Sequence, residues 1–119
     1  MELQLYTYRA MVTSVYNGDT CSIDIDLGLR TWIHGEKIRL LRIDAPEMRG
    51  EEREQGILSR DYLISLIQDQ EIILQTIQDK KGKYGRYLGE IWVKDKNGNH
   101  FNVNDKMVSE GCAVYIDYP

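Results

Sequence analysis

The chain has 119 residues, 42% hydrophobic and 29% charged, a size and balance expected of one globular domain spanning 1–119 that builds its core without metal or disulfide staples. Ten Gly, two Pro and no repeat or biased tract exclude collagen-like, solenoid and disordered chains. Fifteen Lys and Arg against nineteen Asp and Glu give a net charge of -4, so any polyanion must be met by local charge.

Tyr8 to Tyr16 mixes β-branched and aromatic residues and ends at Asn17-Gly18-Asp19, which predicts a strand closed by a hairpin turn. Cys21 to Asp26 alternates apolar and polar residues with period two, a strand with one buried face. A third strand is expected from Arg30 to Ile43, interrupted near Gly35 by a bulge or turn and stopped by Asp44-Ala45-Pro46. From Glu51 to Ile67 the period changes, and Leu58, Tyr62, Leu63, Leu66 and Ile67 form one helical stripe. Glu51, Glu52 and Glu54 open that helix, where acids suit its dipole better than they suit a metal cluster. Strands are expected over Glu71 to Ile77 and Arg86 to Lys94, with a charged loop between them and a turn at Asp95 to Asn99. Asn102 or Asn104 can cap a short helix that stops at Gly111, and Ala113 to Ile116 reads as extended. The predicted fold is mainly β with α (α+β): a five-stranded OB-type barrel, a helix between strands three and four, and a short helix near the C-terminus. An open α+β sheet is the alternative.

No stretch approaches the ~18 apolar residues of a membrane helix, and Met1-Glu2-Leu3-Gln4 carries no export signal. A cytoplasmic monomer with no membrane contact is therefore expected, unless a leader has been removed. Cys21 and Cys112 belong to no Cys-x-x-Cys pair and read as buried free thiols; His34 and His100 are isolated. Any chemistry falls to carboxylates and arginines.

Three stretches concentrate such groups at expected strand ends: Asn17-Gly18-Asp19-Thr20, Arg39 to Glu47, and Lys83-Tyr84-Gly85-Arg86. Singly, each has an ordinary reading: a hairpin turn, rim ion pairs of little energy, or a further turn. Together they offer more. Asp19, Asp44 and the backbone carbonyl of Ala45 supply the hard oxygens that Ca²⁺ accepts. Arg39 and Arg86 present forked donors to a phosphate. Glu47 stands where it can take or orient a proton of an attacking water. A cation and two guanidinium groups stabilise the charge that builds on phosphorus during phosphodiester hydrolysis.

These stretches resemble the staphylococcal nuclease (thermonuclease) family. Gly18-Asp19-Thr20 is similar to its Asp-Gly-Asp-Thr turn, Arg39-Leu40-Leu41-x-Ile43-Asp44-Ala45-Pro46-Glu47 to its Arg-Leu-x-x-Ile-Asp-x-Pro-Glu segment, and Tyr84-Gly85-Arg86 to its Tyr-Gly-Arg. The resemblance implies an OB-fold, Ca²⁺-dependent nuclease that cleaves DNA and/or RNA by water attack and prefers single strands. It implies Asp19 and Asp44 as metal ligands, Thr20 as support for Asp19, Glu47 as general base, Arg39 and Arg86 as the phosphate clamp, and Tyr84 as a contact to a neighbouring phosphate or sugar. Lys83 adds substrate charge or is a solvated lysine. Tyr115 and Tyr118 are both candidates to stack on a base, or else lie at a frayed end.

The likeness has departures. Asn17 replaces the first acid of the turn, and Gly82 the acid two residues before the tyrosine. The alternative function is an inactive OB-fold module that binds nucleic acid or a protein partner. Such modules usually lose the acids and arginines that are retained here.

Overall fold

The period-two segments form three long antiparallel strands: β1 (Thr7–Asn17), β2 (Thr20–Asp26) and β3 (Trp32–Leu40). The computed structural model describes residues 4–117, so Tyr118 lies outside the described residues. After β3 come β4 (Ile43–Asp44), a 3₁₀ turn at Gly50–Glu52, α1 (Arg53–Ile67), β5 (Glu71–Lys81), β6 (Tyr87–Lys94), β7 (His100–Asn102), α2 (Val103–Ser109) and β8 (Val114–Tyr115). The main sheet runs β3-β2-β1-β5-β6-β7, and β3 also pairs with β6. That second pairing is parallel, joins Ile38–Leu40 to Tyr87–Gly89, and closes β1, β2, β3, β6 and β5 into a five-stranded barrel. With α1 between the third and fourth barrel strands and α2 near the C-terminus, this is the predicted α+β OB-type fold.

Bulges bend the strands enough to close so small a barrel. β1 slips register against β2 between Val12 and Ser14 and again between Val15 and Asn17. In β3 the interruption at Gly35 is a bulge: Gly35 has φ +72, and its N–H donates to Asp24 Oδ1 at 2.9 Å. Val12, Ile23, Ile38, Leu40, Leu74 and Ile91 are fully buried, and Leu63 and Ile67 of α1 with Val103 and Met107 of α2 join the same core.

Several boundaries differ from the sequence reading. β3 ends at Leu40 because Arg42 adopts a left-handed φ of 71°, which turns Ile43–Asp44 away to pair with Val114–Tyr115. The buried face of α1 is Gly56, Ser59, Leu63 and Ile67, while Leu58 is 60% exposed. Small residues let this helix approach the β1–β2 turn, so its contact line is rotated from the large apolar stripe. β5 continues past Ile77 to Lys81 through left-handed Gln78 and Asp79. Asp79 is held there by the hydroxyls of Tyr8 and Thr76. Three-residue β7, next to a tight turn, was too short to read from periodicity. Asn102 caps α2, its side chain accepting from Asp105 N at 2.8 Å. Cys21 is buried and Cys112 partly exposed, both free. Among the described residues no helix is long and apolar enough to cross a membrane.

Candidate active site

The β1–β2 turn delivers Asp19. A Cβ at Gly18 would lie 2.7 Å from Ala45 Cβ and 2.8 Å from Ser59 Cβ, so only glycine lets this turn press between α1 and the segment after β4. Asp19 N–H donates to Asn17 Oδ1 at 3.0 Å, which fixes the turn through a side chain of the kind that favours such positions. The buried Asp19 carboxylate accepts from the Thr20 hydroxyl at 3.1 Å on one oxygen and from Ala45 N–H at 2.9 Å on the other. Asn17, which stands in place of an acid, therefore has a structural task of its own.

Arg39 leaves β3 opposite Thr20, and its side chain is only 7% exposed. Nη1 donates to the carbonyls of Leu40 at 2.8 Å and Ile43 at 2.9 Å. Nη2 lies 3.1 Å from Asp44 Oδ1 and 3.4 Å from Asp19 Oδ2. One guanidinium nitrogen thus joins both carboxylates, and the same group holds the corner after β3 in shape. Asp44 is more open, its side chain 56% exposed. Burial and the charge of Asp19 raise the Asp44 carboxyl above its ordinary range against the pull of Arg39, and Glu47 and Glu52 raise it further. Negative charge is in excess here even with the arginine in place.

Arg86 approaches from the β5–β6 hairpin, whose tip is fixed by Gly82 N–H to Arg86 carbonyl at 2.6 Å and by Gly85 in a left-handed φ of 77°. Arg86 Nη1 donates to the Thr20 hydroxyl at 3.2 Å, and its guanidinium carbon sits 5.6 Å from the Tyr84 ring centre. Thr20 therefore links the two halves of the site, donating to Asp19 and accepting from Arg86. Lys83 Nζ is 5.9 Å from the same ring, which is 74% exposed.

Glu47 is exposed; its N–H donates to Glu52 Oε2 at 2.9 Å. Helix α1 packs directly on its backbone, for a Cβ at Gly56 would fall 2.2 Å from the Glu47 carbonyl oxygen. The 3₁₀ turn that leads into α1 thus brings Glu52 up to Glu47 and within reach of the Asp44 charge. Tyr115 stands apart from this group. Its hydroxyl donates to Asp105 Oδ1 at 2.8 Å and its ring faces Arg42, 5.8 Å away, while Val114 is the residue paired with Asp44.

Two carboxylates meeting at one nitrogen, one of them open to solvent, beside further acids, form an oxygen-only donor set suited to a hard cation. Among the described residues no three His, Cys, Asp or Glu side chains converge, so such a cation would rely on Asp19, Asp44, the Ala45 carbonyl and waters.

Sequence reading missed three parts of this arrangement: Gly56, Ser59 and Arg42. Ser59 ties α1 to the C-terminal segment through a 2.6 Å bond to the Cys112 carbonyl. A glycine and a serine three residues apart inside an apolar helix were the available signal for a close contact. Arg42 gave none, because its partners are 48 and 63 residues away.

A closed five-stranded barrel with a helix between its third and fourth strands, and with Asp44, Arg39, Asp19, Thr20 and Arg86 linked in sequence at one end, defines an α+β domain of the OB type. The family described as staphylococcal nuclease homologue matches residues 37–119, well over half of the chain, and the chain belongs to that family. It is 30% identical over 112 residues to the Thermonuclease of Staphylococcus intermedius and 28% identical over 131 residues to an uncharacterized protein of Methanocaldococcus jannaschii. Each alignment takes in 92% of this chain and 60% of the relative; the chain spans less than two-thirds of either.

Proposed function

We propose that this protein is a Ca²⁺-dependent nuclease that hydrolyses phosphodiester bonds of single-stranded DNA or RNA. The observation that carries the reading is the continuous chain Asp44, Arg39, Asp19, Thr20, Arg86, in which every link is a hydrogen bond or ion pair. It makes the acids and the arginines one device. A Ca²⁺ ion held by Asp19, Asp44 and the Ala45 carbonyl would supply positive charge that polarises a phosphoryl oxygen.

The protein's own groups do the rest. Arg86 and, through the Nη2 that otherwise faces Asp44 and Asp19, Arg39 donate to the phosphate oxygens, more strongly as charge develops on them. Arg39 is pre-aligned by the Leu40 and Ile43 carbonyls, so little ordering remains for it on binding. Exposed Glu47, braced by α1, takes a proton from the attacking water. Tyr84 and Lys83, beside Arg86, contact the adjoining phosphate or sugar, and Tyr115 or Tyr118 stacks on a base. For Tyr115 this needs its ring alone, since its hydroxyl is engaged by Asp105.

Incubation of the protein with end-labelled single-stranded DNA, with Ca²⁺ and with chelator, tests the reading. Cleavage in Ca²⁺ and none in chelator supports it. Binding without cleavage in both conditions would leave the barrel as a binding module.

A further inference from the structure

Beyond Arg86, on the outer face of β1, β2 and β3, lies a groove of about 440 Å³, within the range of small-ligand sites. Its floor is one row across three strands: Ser14 pairs with Ser22, and Ser22 with Lys37. Two small hydroxyl residues keep that floor low. Its walls are Tyr16, 73% exposed, and Tyr84, 74% exposed, with Arg86 beside Tyr84. Tyr16 is the extra residue of the second β1 bulge, which frees its ring from the regular pleat. Among the described residues the groove is lined by two cations, Lys37 and Arg86, and by no carboxylate. Neighbouring Glu36 faces the other side of β3, where it pairs with Lys81 at 3.8 Å. In a chain of net charge -4, a cationic, aromatic-walled groove continuous with the Thr20–Arg86 link calls for an anion with an aromatic ring.

We propose that this groove is a nucleotide subsite, in which Tyr16 stacks on the base next to the scissile phosphate, Tyr84 walls the sugar-phosphate side, and Lys37 pairs with the following backbone phosphate. Lys37 lies two residues from Arg39 along β3, about 7 Å, the reach of one nucleotide step. The subsite extends the proposed function by giving the strand its direction: it leaves the acids and runs across the barrel wall toward the far end of the β1–β2 hairpin. Its occupant is taken from that function, but its existence is tested by binding alone.

The experiment measures fluorescence anisotropy of labelled octathymidylate at low salt in chelator, for the parent, Tyr16→Ala, Tyr16→Phe, Lys37→Ala and, as control, Lys96→Ala in the distant 95–99 turn. Both Tyr16 and Lys37 are exposed, so their truncation spares the core. Tyr16→Ala should weaken binding about tenfold and Tyr16→Phe restore it, because stacking needs the ring and not the hydroxyl. Lys37→Ala should weaken binding and reduce the slope of log K against log salt by about 0.7, the loss of one single-strand phosphate contact. Lys96→Ala should bind as the parent does. A parent that fails to bind, or Tyr16→Ala and Lys37→Ala variants within about twofold of it, overturns the subsite. If these losses are seen and no cleavage occurs in Ca²⁺, the subsite stands and the hydrolytic reading falls; cleavage with unaltered binding in both variants removes the subsite alone.

Discussion

Arg42 grips Glu90 with two prongs, Nε at 2.7 Å from one carboxylate oxygen and Nη2 at 2.8 Å from the other. Its third nitrogen reaches Asp105 of α2 at 2.9 Å, and its carbonyl accepts from Ile116 N–H at 2.9 Å. This single residue, in a left-handed conformation, ties the corner after β3 to β6, α2 and β8. Glu90 is 14% exposed and Arg42 40%, so the pair falls between a surface and a buried bridge. Arg42→Ala should cost about 1–3 kcal/mol, and Glu90→Gln, which keeps the shape, less. Urea unfolding measures both, and equal stability of the Arg42→Ala variant would show that the network adds nothing.

The same cluster sets an acid dependence. Arg42, with help from the Tyr115 hydroxyl, holds the Asp105 carboxyl below its ordinary range. A depressed carboxylate contributes stability that is complete above its unfolded pKa, about 3.9, and is lost as pH falls through the lower folded value. Stability should therefore fall below about pH 4, and Asp105→Asn should flatten that acid limb while lowering stability at neutral pH. A limb of unchanged steepness would assign the acid loss to other carboxylates.

The two arginines of the proposed clamp are expected to respond differently. Arg86 is half-buried and its guanidinium donates to Thr20, so Arg86→Ala should lower kcat about 10²–10³-fold with little change in melting temperature. Buried Arg39 also satisfies two carbonyls and faces two carboxylates. Arg39→Ala should cost both activity and about 2–4 kcal/mol of stability. Thermal unfolding beside single-turnover kinetics separates the cases.

Glu47→Gln tests the proton acceptor. Glu47 is braced through its backbone by Glu52 and Gly56, so the variant should keep the fold and the Ca²⁺ affinity while cleavage slows about 10²–10⁴-fold. Calorimetric titration with Ca²⁺ reads the first quantity and turnover the second. A parallel loss of Ca²⁺ binding would move Glu47 into the ligand set.

Two glycines should be intolerant of a methyl group. At Gly18 the new carbon would meet Ala45 and Ser59 side chains, and at Gly56 the backbone carbonyl of Glu47. Each Ala variant should lose about 1–3 kcal/mol, Gly56→Ala the more because backbone cannot swing aside. Chemical denaturation ranks them, and a Gly56→Ala protein as stable as the parent would mean that α1 shifts freely.

The sequence carried the barrel well, since Cys21 to Asp26 alternates cleanly, Glu71 to Ile77 is a β-rich run, and Asn17-Gly18-Asp19 is a local turn signal. The acids and arginines were visible for the same reason: each sits in a short stretch at a strand end. What stayed hidden depends on meetings between remote segments. Arg42 looked like a variable position between Leu41 and Ile43, because Glu90 and Asp105 become its neighbours only after the chain closes. Leu58 fitted the helical stripe yet faces solvent, because the contact line of α1 is set by Ser59 against Gly18 and by Gly56 against the Glu47 backbone. The role of Thr20 as a bridge to Arg86 likewise needed both hairpins in place.

The parallel seam between β3 and β6 has a last consequence. It is three residues long on each side, it pairs Arg39 with Leu88, and Arg86 directly precedes it. Before those strands meet, one guanidinium rides on the first meander and the other on the second. A nascent or partly opened chain therefore has the right amino acids but lacks the Thr20–Arg86 link that joins the two meanders. Barrel closure is the step that brings the two guanidinium groups to one end of the molecule.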